Sequence, residues 1–279
     1  MPVAARRHLR RMRGGAQSHL IEADDGAFYV VKFRNNPQHR RILVNEWLAA
    51  TLLDYLQIAA PPVQIVDVSA EFLEEFPEAA ITLGSRAVPP EPGWHFGSRY
   101  PGDPDRTAVY DFIPDALLER VANARDFRAA VVFDKWTANA DARQCVFFRA
   151  RVEEWMGGSS GATPAVGFVA TMIDHGFIFQ GPGWEYIDAP LQGLYPRRKV
   201  YDAIRSMDDF QPWLDRVGNL PEAVLDDAWK RVPPQWVEGE EDELERLLTT
   251  LFRRRKRVGE LIHQAAAARS GPFVNWQSR

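Results

Sequence analysis

Hydrophobic and polar positions divide the chain into a strand-rich first part and a helix-rich second part. The segments SHLIEA and AFYVVKF are rich in β-formers and flank an ADDGA turn, which predicts a β-hairpin over residues 18–33. Pro37 and apolar residues at helical spacing predict a helix over residues 36–58. PPVQIVDVS predicts a strand over residues 61–69, and AAITLGS is a further strand candidate.

The second part begins after a loop-rich stretch. Residues 85–107 contain five Pro and three Gly, and we place a lobe boundary there. Helical periodicity is present in DALLERVAN and ARDFRAAVVFDKWTA. Strand character is present in QCVFFRA and VGFVATMID. The segment between these two strands, RVEEWMGGSSGATPA, is expected to be a mobile hairpin loop. Residues 238–268 are expected to form one long helix. We therefore predict an α+β fold of two lobes, with a β-rich N-lobe containing one long helix (about 1–100) and a mostly helical C-lobe (about 108–279).

The bulk composition restricts the function classes. The 279 residues are 46% hydrophobic and 26% charged with a net charge of −4, as expected of a soluble globular protein with no general affinity for nucleic acid or anionic membranes. The single cysteine, Cys145, excludes an internal disulfide and a cysteine-based metal cage, which fits a reducing, cytoplasmic setting. No apolar run approaches 18 residues, so no membrane span is expected.

Lys32 is a candidate phosphate ligand. Only five of the 34 basic residues are Lys, so a Lys within the apolar strand FYVVKF calls for a reason. A rigid strand can aim one point charge into a cleft, although an edge-strand Lys that extends into solvent is the alternative. Glu46 lies fourteen residues later on the predicted helix among apolar neighbours. A helix packed on the sheet would bring its carboxylate to Lys32, whereas a solvated helix Glu is the ordinary alternative.

Two further motifs fit the handling of phosphate and metal. The glycines of RGGAQSHL (13–20) allow a backbone turn to form an anion nest, although most such pairs are only turns. In TMIDHGFIF (171–179) an apolar strand ends at Asp174 before a Gly. An Asp in this position can hold a metal against phosphates, and the alternative is an Asx turn.

The stretch FDKWTANADARQCVFF (133–148) contains two candidates for a catalytic base. Asp141 lies in the connection between a predicted helix and a strand, where a base can reach an acceptor hydroxyl. Asp134 lies within the helix, but Asn139 follows it by five residues, which is the interval between base and metal-binding amide in kinase catalytic loops. Position favours Asp141 and spacing favours Asp134, so these residues alone leave the choice open.

Taken in order, these motifs resemble those of HipA-like kinases. GGAQSHL is similar to the family's nucleotide loop, YVVKF to its Lys strand, VVFDKWTANADARQ to its helix and N-x-D catalytic loop, and MIDHG to its metal-binding motif, which phosphoinositide kinases share. The resemblance spans about residues 14–180 and implies a single kinase domain over 1–279 that uses ATP and Mg²⁺. It makes Asp141 the catalytic base and Asp134 a helix residue that supports the loop.

The resemblance also implies the roles of the other site residues. The nucleotide would contact Gly14, Gly15, Ala16, Gln17, Ser18 and Lys32, and Glu46 would anchor Lys32. Mg²⁺ would be held by Asp174. Arg143 replaces the family's His two residues after the base, and it would stabilise charge on the transferred group. The family's metal-binding Asn would be Val146, which cannot ligate a metal, so Gln144 is the substitute candidate.

Three alternatives to an active kinase with a protein Ser/Thr or other hydroxyl acceptor follow from the sequence. The missing Asn and His suggest a nucleotide-binding pseudokinase that acts as a regulatory module. The DHG motif suggests a small-molecule or lipid kinase on the same fold. The basic run FRRRKRV (252–258) suggests nucleic-acid binding, although such a run is usually a solvated helix face. The sequence does not identify the acceptor or a protein partner.

Overall fold

A computed structural model describes residues 1–151 and 166–277 of the chain. Its strands are β1 (Val3–Arg11), β2 (His19–Ala23), β3 (Phe28–Lys32), β4 (Val63–Val68), β5 (Ile81–Leu83), β6 (Arg86–Val88), β7 (Gly93–Arg99), β8 (Val109–Tyr110), β9 (Gln144–Arg151) and β10 (Val166–Ile173). Its α-helices are α1 (Arg41–Leu56), α2 (Ala70–Glu75), α3 (Asp115–Leu118), α4 (Asp126–Thr137), α5 (Trp213–Gly218), α6 (Glu222–Lys230), α7 (Pro234–Val237), α8 (Glu241–Arg254) and α9 (Val258–Ala267).

A closed barrel forms in the order β1-β2-β3-β7-β4. The predicted hairpin is present as β2 and β3, and β3 pairs on its other side with β7, where Lys32 lies opposite Phe96. Lys32 is therefore on an interior strand of the barrel, which excludes the edge-strand alternative. The parallel pairing of β1 with β4 closes the barrel.

The expectation that residues 85–107 are loop-rich was wrong for β6 and β7, which are strands. Strand β7 pairs with β3 and β4 along most of its length. Gly97, one of the glycines that made this segment look irregular in the sequence, is required by the packing of β7 on β4. A Cβ at Gly97 would lie 2.6 Å from Cγ2 of Val66, so only glycine allows β4 and β7 to approach this closely.

Helix α1 begins later than the apolar pattern predicted. It starts at Arg41, and residues 36–40 form turns. The Asn36 side chain accepts a hydrogen bond from the Gln38 backbone N–H and donates to the carbonyl of His39. These local bonds compete with helical ones and delay the helix start.

A second sheet, in the order β10-β9-β8, carries the end of the predicted catalytic loop. The predicted strands after residue 144 and before residue 174 are present as an antiparallel pair, in which Gln144 lies opposite Ile173. This register places Gln144 beside the residue that follows β10, Asp174. The hairpin loop predicted over residues 151–165 lies, apart from Arg151, outside the described residues.

Two helix predictions needed correction. DALLERVAN forms helix only over Asp115–Leu118, and the segment predicted as one helix over 238–268 is divided into α8 and α9 by a 3₁₀ turn at Arg255–Arg257. The break lets α9 pack against α4, which α8 also contacts. The predicted helix of residues 124–138 is present as α4. Within the described ranges, no helix is long and apolar enough to cross a membrane.

Candidate active site

Lys32, Glu46 and Asp174 meet where the barrel, α1 and the end of β10 come together. Nζ of Lys32 donates to Oε1 of Glu46 and, over 2.7 Å, to Oδ1 of Asp174. The Lys32 and Glu46 side chains are almost completely buried, whereas the Asp174 side chain is 37% exposed. The predicted contact between Lys32 and Glu46 is therefore confirmed, and a carboxylate with one accessible side lies next to it.

The three charges determine one another's pKa. Burial alone would lower the pKa of Lys32, but the carboxylates of Glu46 and Asp174 outweigh it and raise the pKa. Lys32 lowers the pKa of Asp174, so this carboxylate is ionised at neutral pH. Burial raises the pKa of Glu46, which the attraction of Lys32 opposes. The cluster thus presents a fixed ammonium beside an ionised carboxylate that is partly open to solvent.

Asn45, which the sequence patterns did not single out, fixes the segment after Asp174. Its buried amide donates to the backbone carbonyls of Gly176, Ile178 and Gly181, and its oxygen accepts from Nε1 of Trp184. Because Asn45 and Glu46 are neighbours on α1, the same helix holds both Lys32 and the loop that carries Asp174. The available signal was an Asn next to Glu46 within the otherwise apolar stretch ILVNEWLAA of the predicted helix.

Gly176 lets α1 approach this loop closely. A Cβ at Gly176 would lie 2.7 Å from Cγ2 of Ile42 and 3.5 Å from Oε1 of Glu46. A larger residue would therefore push directly against the helix face that carries Glu46. Asp174 itself has a left-handed backbone with φ of 55°, which turns the chain out of β10 and into this contact.

Asp141 and Gln144 lie beside Asp174. Nε2 of Gln144 is 3.1 Å from Oδ2 of Asp174 and 3.4 Å from Oδ2 of Asp141. Asp141 is exposed, and its Oδ1 accepts from the backbone N–H of Ala142. The structure therefore brings together the predicted base and both predicted metal ligands.

The donor set at this point fits Mg²⁺ only in part. Carboxylate oxygens are suitable ligands, and Mg²⁺ in phosphotransferases needs one or two of them besides phosphates and water. Gln144, however, presents its N–H to the carboxylates, and it would have to turn its carbonyl oxygen inward to ligate a metal. In the described ranges, no group of three or more His, Cys, Asp or Glu side chains could hold a metal by itself.

Arg143 is buried behind the loop that carries Asp141 and does not reach solvent. Its side chain is 1% exposed and makes two bonds to Asp134, one of them Nε to Oδ2 over 2.9 Å. Nη1 donates to the carbonyl of Ile173 and to Nδ1 of His175. In this arrangement Arg143 binds protein groups on both sides of the loop, so its contacts are those of a support rather than of a transition-state ligand.

His175 completes the buried network. A guanidinium can only donate, so Nδ1 of His175 accepts from Arg143 and Nε2 donates to the carbonyl of Met172, 3.1 Å away. Burial, reinforced by the nearby charge of Arg143, holds the pKa of His175 well below its usual range. The imidazole is neutral, and it links Arg143, in the loop that carries Asp141, to the end of β10 at Met172.

Asp134 supports the loop from α4, as predicted. It is buried and accepts from Nδ2 of Asn139 over 2.9 Å as well as from Arg143. Oδ1 of Asn139 in turn accepts from the backbone N–H of Asp141. Asp134 and Asn139 have the five-residue interval of a kinase base and its metal-binding amide, and here this interval corresponds to a structural hydrogen bond.

The glycine turn lies between β1 and β2. Gly14 and Gly15 are exposed, and Gly14 has a φ of 120° that disfavours other residues. Ala16 and Ser18 are buried. The Gln17 amide exchanges two hydrogen bonds with the backbone of Thr82, so its side chain anchors the turn to β5. The exposed glycine backbone is the part of the predicted nucleotide loop that is open to a ligand.

Comparison with known proteins gives a family and a fold. The sequence model described as HipA-like kinase matches residues 6–146. No curated protein matches the chain. The crystal structure of the Golgi casein kinase aligns with a TM-score of 0.50 at 13% identity, covering 98% of this chain and 76% of that one. This likeness concerns the fold alone, a mixed α/β fold with kinase-like neighbours.

Two other solved structures align less well. The Golgi casein kinase with Mn/ADP bound has a TM-score of 0.49 at 12% identity, covering 96% of this chain and 73% of that one. The structure of hydra Fam20 with sugar has a TM-score of 0.47 at 13% identity, covering 93% and 85% of the two chains.

Proposed function

This chain belongs to the HipA-like kinase family, and we propose that it is an ATP- and Mg²⁺-dependent phosphotransferase that acts on a hydroxyl of a protein Ser or Thr. The observation that carries the proposal is the contact of Lys32 with both Glu46 and Asp174, with Asp141 and Gln144 at the open side of Asp174. In the proposal, the barrel with α1 and the part from β8 onward are the two lobes of a kinase.

The residues have complementary roles in this reaction. Lys32, which Glu46 holds in place, neutralises charge on the α- or β-phosphate, and the exposed backbone of Gly14 and Gly15 lies against the phosphates. Asp174, with Gln144 after rotation of its amide, would hold Mg²⁺, which when bound shields the negative charge of the phosphates. Asp141 orients the acceptor hydroxyl and accepts its proton as the γ-phosphate is transferred.

Catalysis in this scheme is mostly positioning and electrostatics. Phosphoryl transfer requires little covalent chemistry from the protein, so pre-fixed charges supply most of the rate enhancement. The buried bonds of Asn45, Asp134 and Arg143 keep the loops that carry Asp141 and Asp174 in a fixed relation before the ligand arrives. We therefore assign Arg143 a positioning role in place of the charge stabilisation predicted from the family pattern.

A nucleotide-binding pseudokinase is the second candidate. Val146, at the position of the family's metal-binding Asn, lies within β9 opposite Thr171 and cannot ligate a metal. If Gln144 keeps its N–H toward Asp174, the site lacks one metal ligand. The two candidates predict different results in the same experiment.

The test is Mg²⁺-dependent transfer from radiolabelled ATP to the protein itself and to Ser/Thr-containing protein acceptors. Lys32→Met and Asp174→Asn should each reduce transfer by about 100-fold or more, because each removes a preorganised charge. Lys230→Met and Asp226→Asn are matched controls at exposed positions and should leave transfer unchanged. If wild type transfers no phosphate while ATP raises its Tm, the pseudokinase proposal replaces the first.

A further inference from the structure

An open cleft of about 1040 Å³ lies away from the candidate active site. Its arginines come from four separate segments: Arg99 at the end of β7, Arg125 before α4, Arg149 on β9 and Arg216 on α5. Arg149 follows Gln144 by five residues on β9, a separation of roughly 16 Å along a strand. The cleft is therefore separate from the site around Asp174.

Three of these arginines are exposed and lack an ion-pair partner within the part of the chain that the structure describes. Arg216 is engaged, because it donates to the carbonyl of Leu56 and to Oε1 of Gln57. Arg99, Arg125 and Arg149 are exposed, and none of them forms a salt bridge with another described residue. A cluster of three such guanidiniums is notable in a chain whose net charge is −4.

The two acidic side chains of the cleft, Asp54 and Asp126, offset only part of the charge of its four arginines, and Asp126 interacts electrostatically with Arg125. The buried carboxylate of Asp126 accepts from the backbone N–H of Ala59 and from Nδ2 of Asn123, so it is turned into the protein. Asp54 is exposed at the end of α1 and is the other acid of the lining. The cleft thus presents an excess of positive charge to solvent.

The larger apolar side chains of the lining are buried. They include Ile58, Tyr100 and Trp213, and each of these is at most 8% exposed. Single-stranded nucleic acids bind by stacking bases on exposed aromatic faces, which these buried rings do not offer. The exposed side chains of the lining are instead mainly arginines, which suit a peptide that carries several carboxylates.

We propose that this cleft binds an acidic peptide segment of a partner protein. Its volume is far larger than one small anion, and its exposed arginines stand on three different segments, so a ligand must carry several carboxylates spread along an extended chain. The proposal does not depend on phosphotransfer, since none of the residues involved belongs to the candidate active site.

The test is fluorescence anisotropy with a labelled dodecapeptide of alternating Glu and Ser residues. The peptide should bind the full chain and lose affinity as salt is added. The combined variant Arg99→Ala, Arg125→Ala and Arg149→Ala should weaken binding by about tenfold or more. The combined variant Arg86→Ala, Arg231→Ala and Arg253→Ala removes the same charge from exposed positions outside the cleft and should bind like wild type.

Three results would overturn the proposal: no binding of the glutamate peptide, equal binding of a peptide with Gln in place of Glu, or equal weakening in both triple variants. A labelled single-stranded oligonucleotide that binds the same arginines more tightly than the peptide would overturn the choice of ligand. Circular dichroism and Tm establish that each variant is folded. Asp174→Asn should bind the peptide normally, which separates this result from failure of the proposed phosphotransfer.

Discussion

Two aspartates seven residues apart have opposite surroundings. Asp134 is buried between the charge of Arg143 and the amide of Asn139, whereas Asp141 is exposed next to Gln144. A buried ion pair depends on both partners, because removing one leaves an uncompensated charge in the interior. An exposed carboxylate contributes little to stability, so its substitution acts mainly on chemistry.

We expect Asp134→Asn to lower the free energy of unfolding by about 3–5 kcal/mol, because Arg143 would remain buried without a counter-charge. Asp141→Asn should change it by less than about 0.5 kcal/mol and abolish phosphate transfer. Urea unfolding and the transfer assay measure the two effects. Equal stability of the two variants would contradict the role of the ion pair, and an active Asp141→Asn beside a folded but inactive Asp134→Asn would reassign the base.

At the scale of elements, the decisive contact is that of α1 with the segment after β10. Helix α1 carries Asn45 and Glu46 on the side that meets this segment, and Gly176 provides the space for the approach. One helix therefore positions Lys32 through Glu46 and the Asp174 loop through Asn45. A change that moves α1 by a fraction of an ångström affects both groups together.

Gly176→Ala should reduce phosphate transfer by about tenfold to 100-fold, because the new Cβ displaces α1 and loosens the Lys32–Glu46 contact. Adding Ile42→Ala removes the side chain that the Cβ would strike, so the double variant should recover part of the rate. Gly218→Ala is the control, since a Cβ there would meet nothing within 4 Å. Unchanged transfer in Gly176→Ala would contradict the requirement for this close approach.

At the scale of the whole molecule, buried histidines connect stability to pH. Burial lowers the pKa of His19 and His95 to about 4 and that of His175 well below its usual range. The unfolded chain takes up protons near the ordinary histidine pKa of 6.5, but the folded chain does not. These histidines therefore make their whole contribution to the free energy of unfolding above pH 6.5. This contribution is lost as the pH falls toward about 4.

His95 offers a direct test of this dependence. Its Nδ1 accepts from the Arg34 backbone N–H, so a proton on that nitrogen would break the bond. We expect His95→Gln to lose less unfolding free energy than wild type between pH 6.5 and 4, measured by urea unfolding at a series of pH values. His263→Gln, at an exposed position, should keep the wild-type slope. Parallel curves for His95→Gln and wild type would contradict the assignment.

The sequence by itself determined the elements whose pattern is local. Residue periodicity and turn chemistry predict three of these elements: the hairpin of β2 and β3, the helix that carries Glu46, and the strand that ends just before Asp174. They can be predicted because residues that are neighbours in sequence determine their conformation. The candidates Lys32, Glu46 and Asp174 could be named because each is a charged residue in an apolar segment. Their predicted functions await the experiments above.

Only the tertiary structure decided the contacts between segments far apart in sequence. The place of β7 inside the barrel depends on how closely Gly97 approaches Val66, which its Pro- and Gly-rich flanks concealed. Two further contacts likewise depend on which elements pack together: the burial of Arg143 against Asp134, and the hydrogen bonds of Asn45 to the loop after Asp174. A polar residue's role depends on burial and on its partners, and both exist only once the chain has folded.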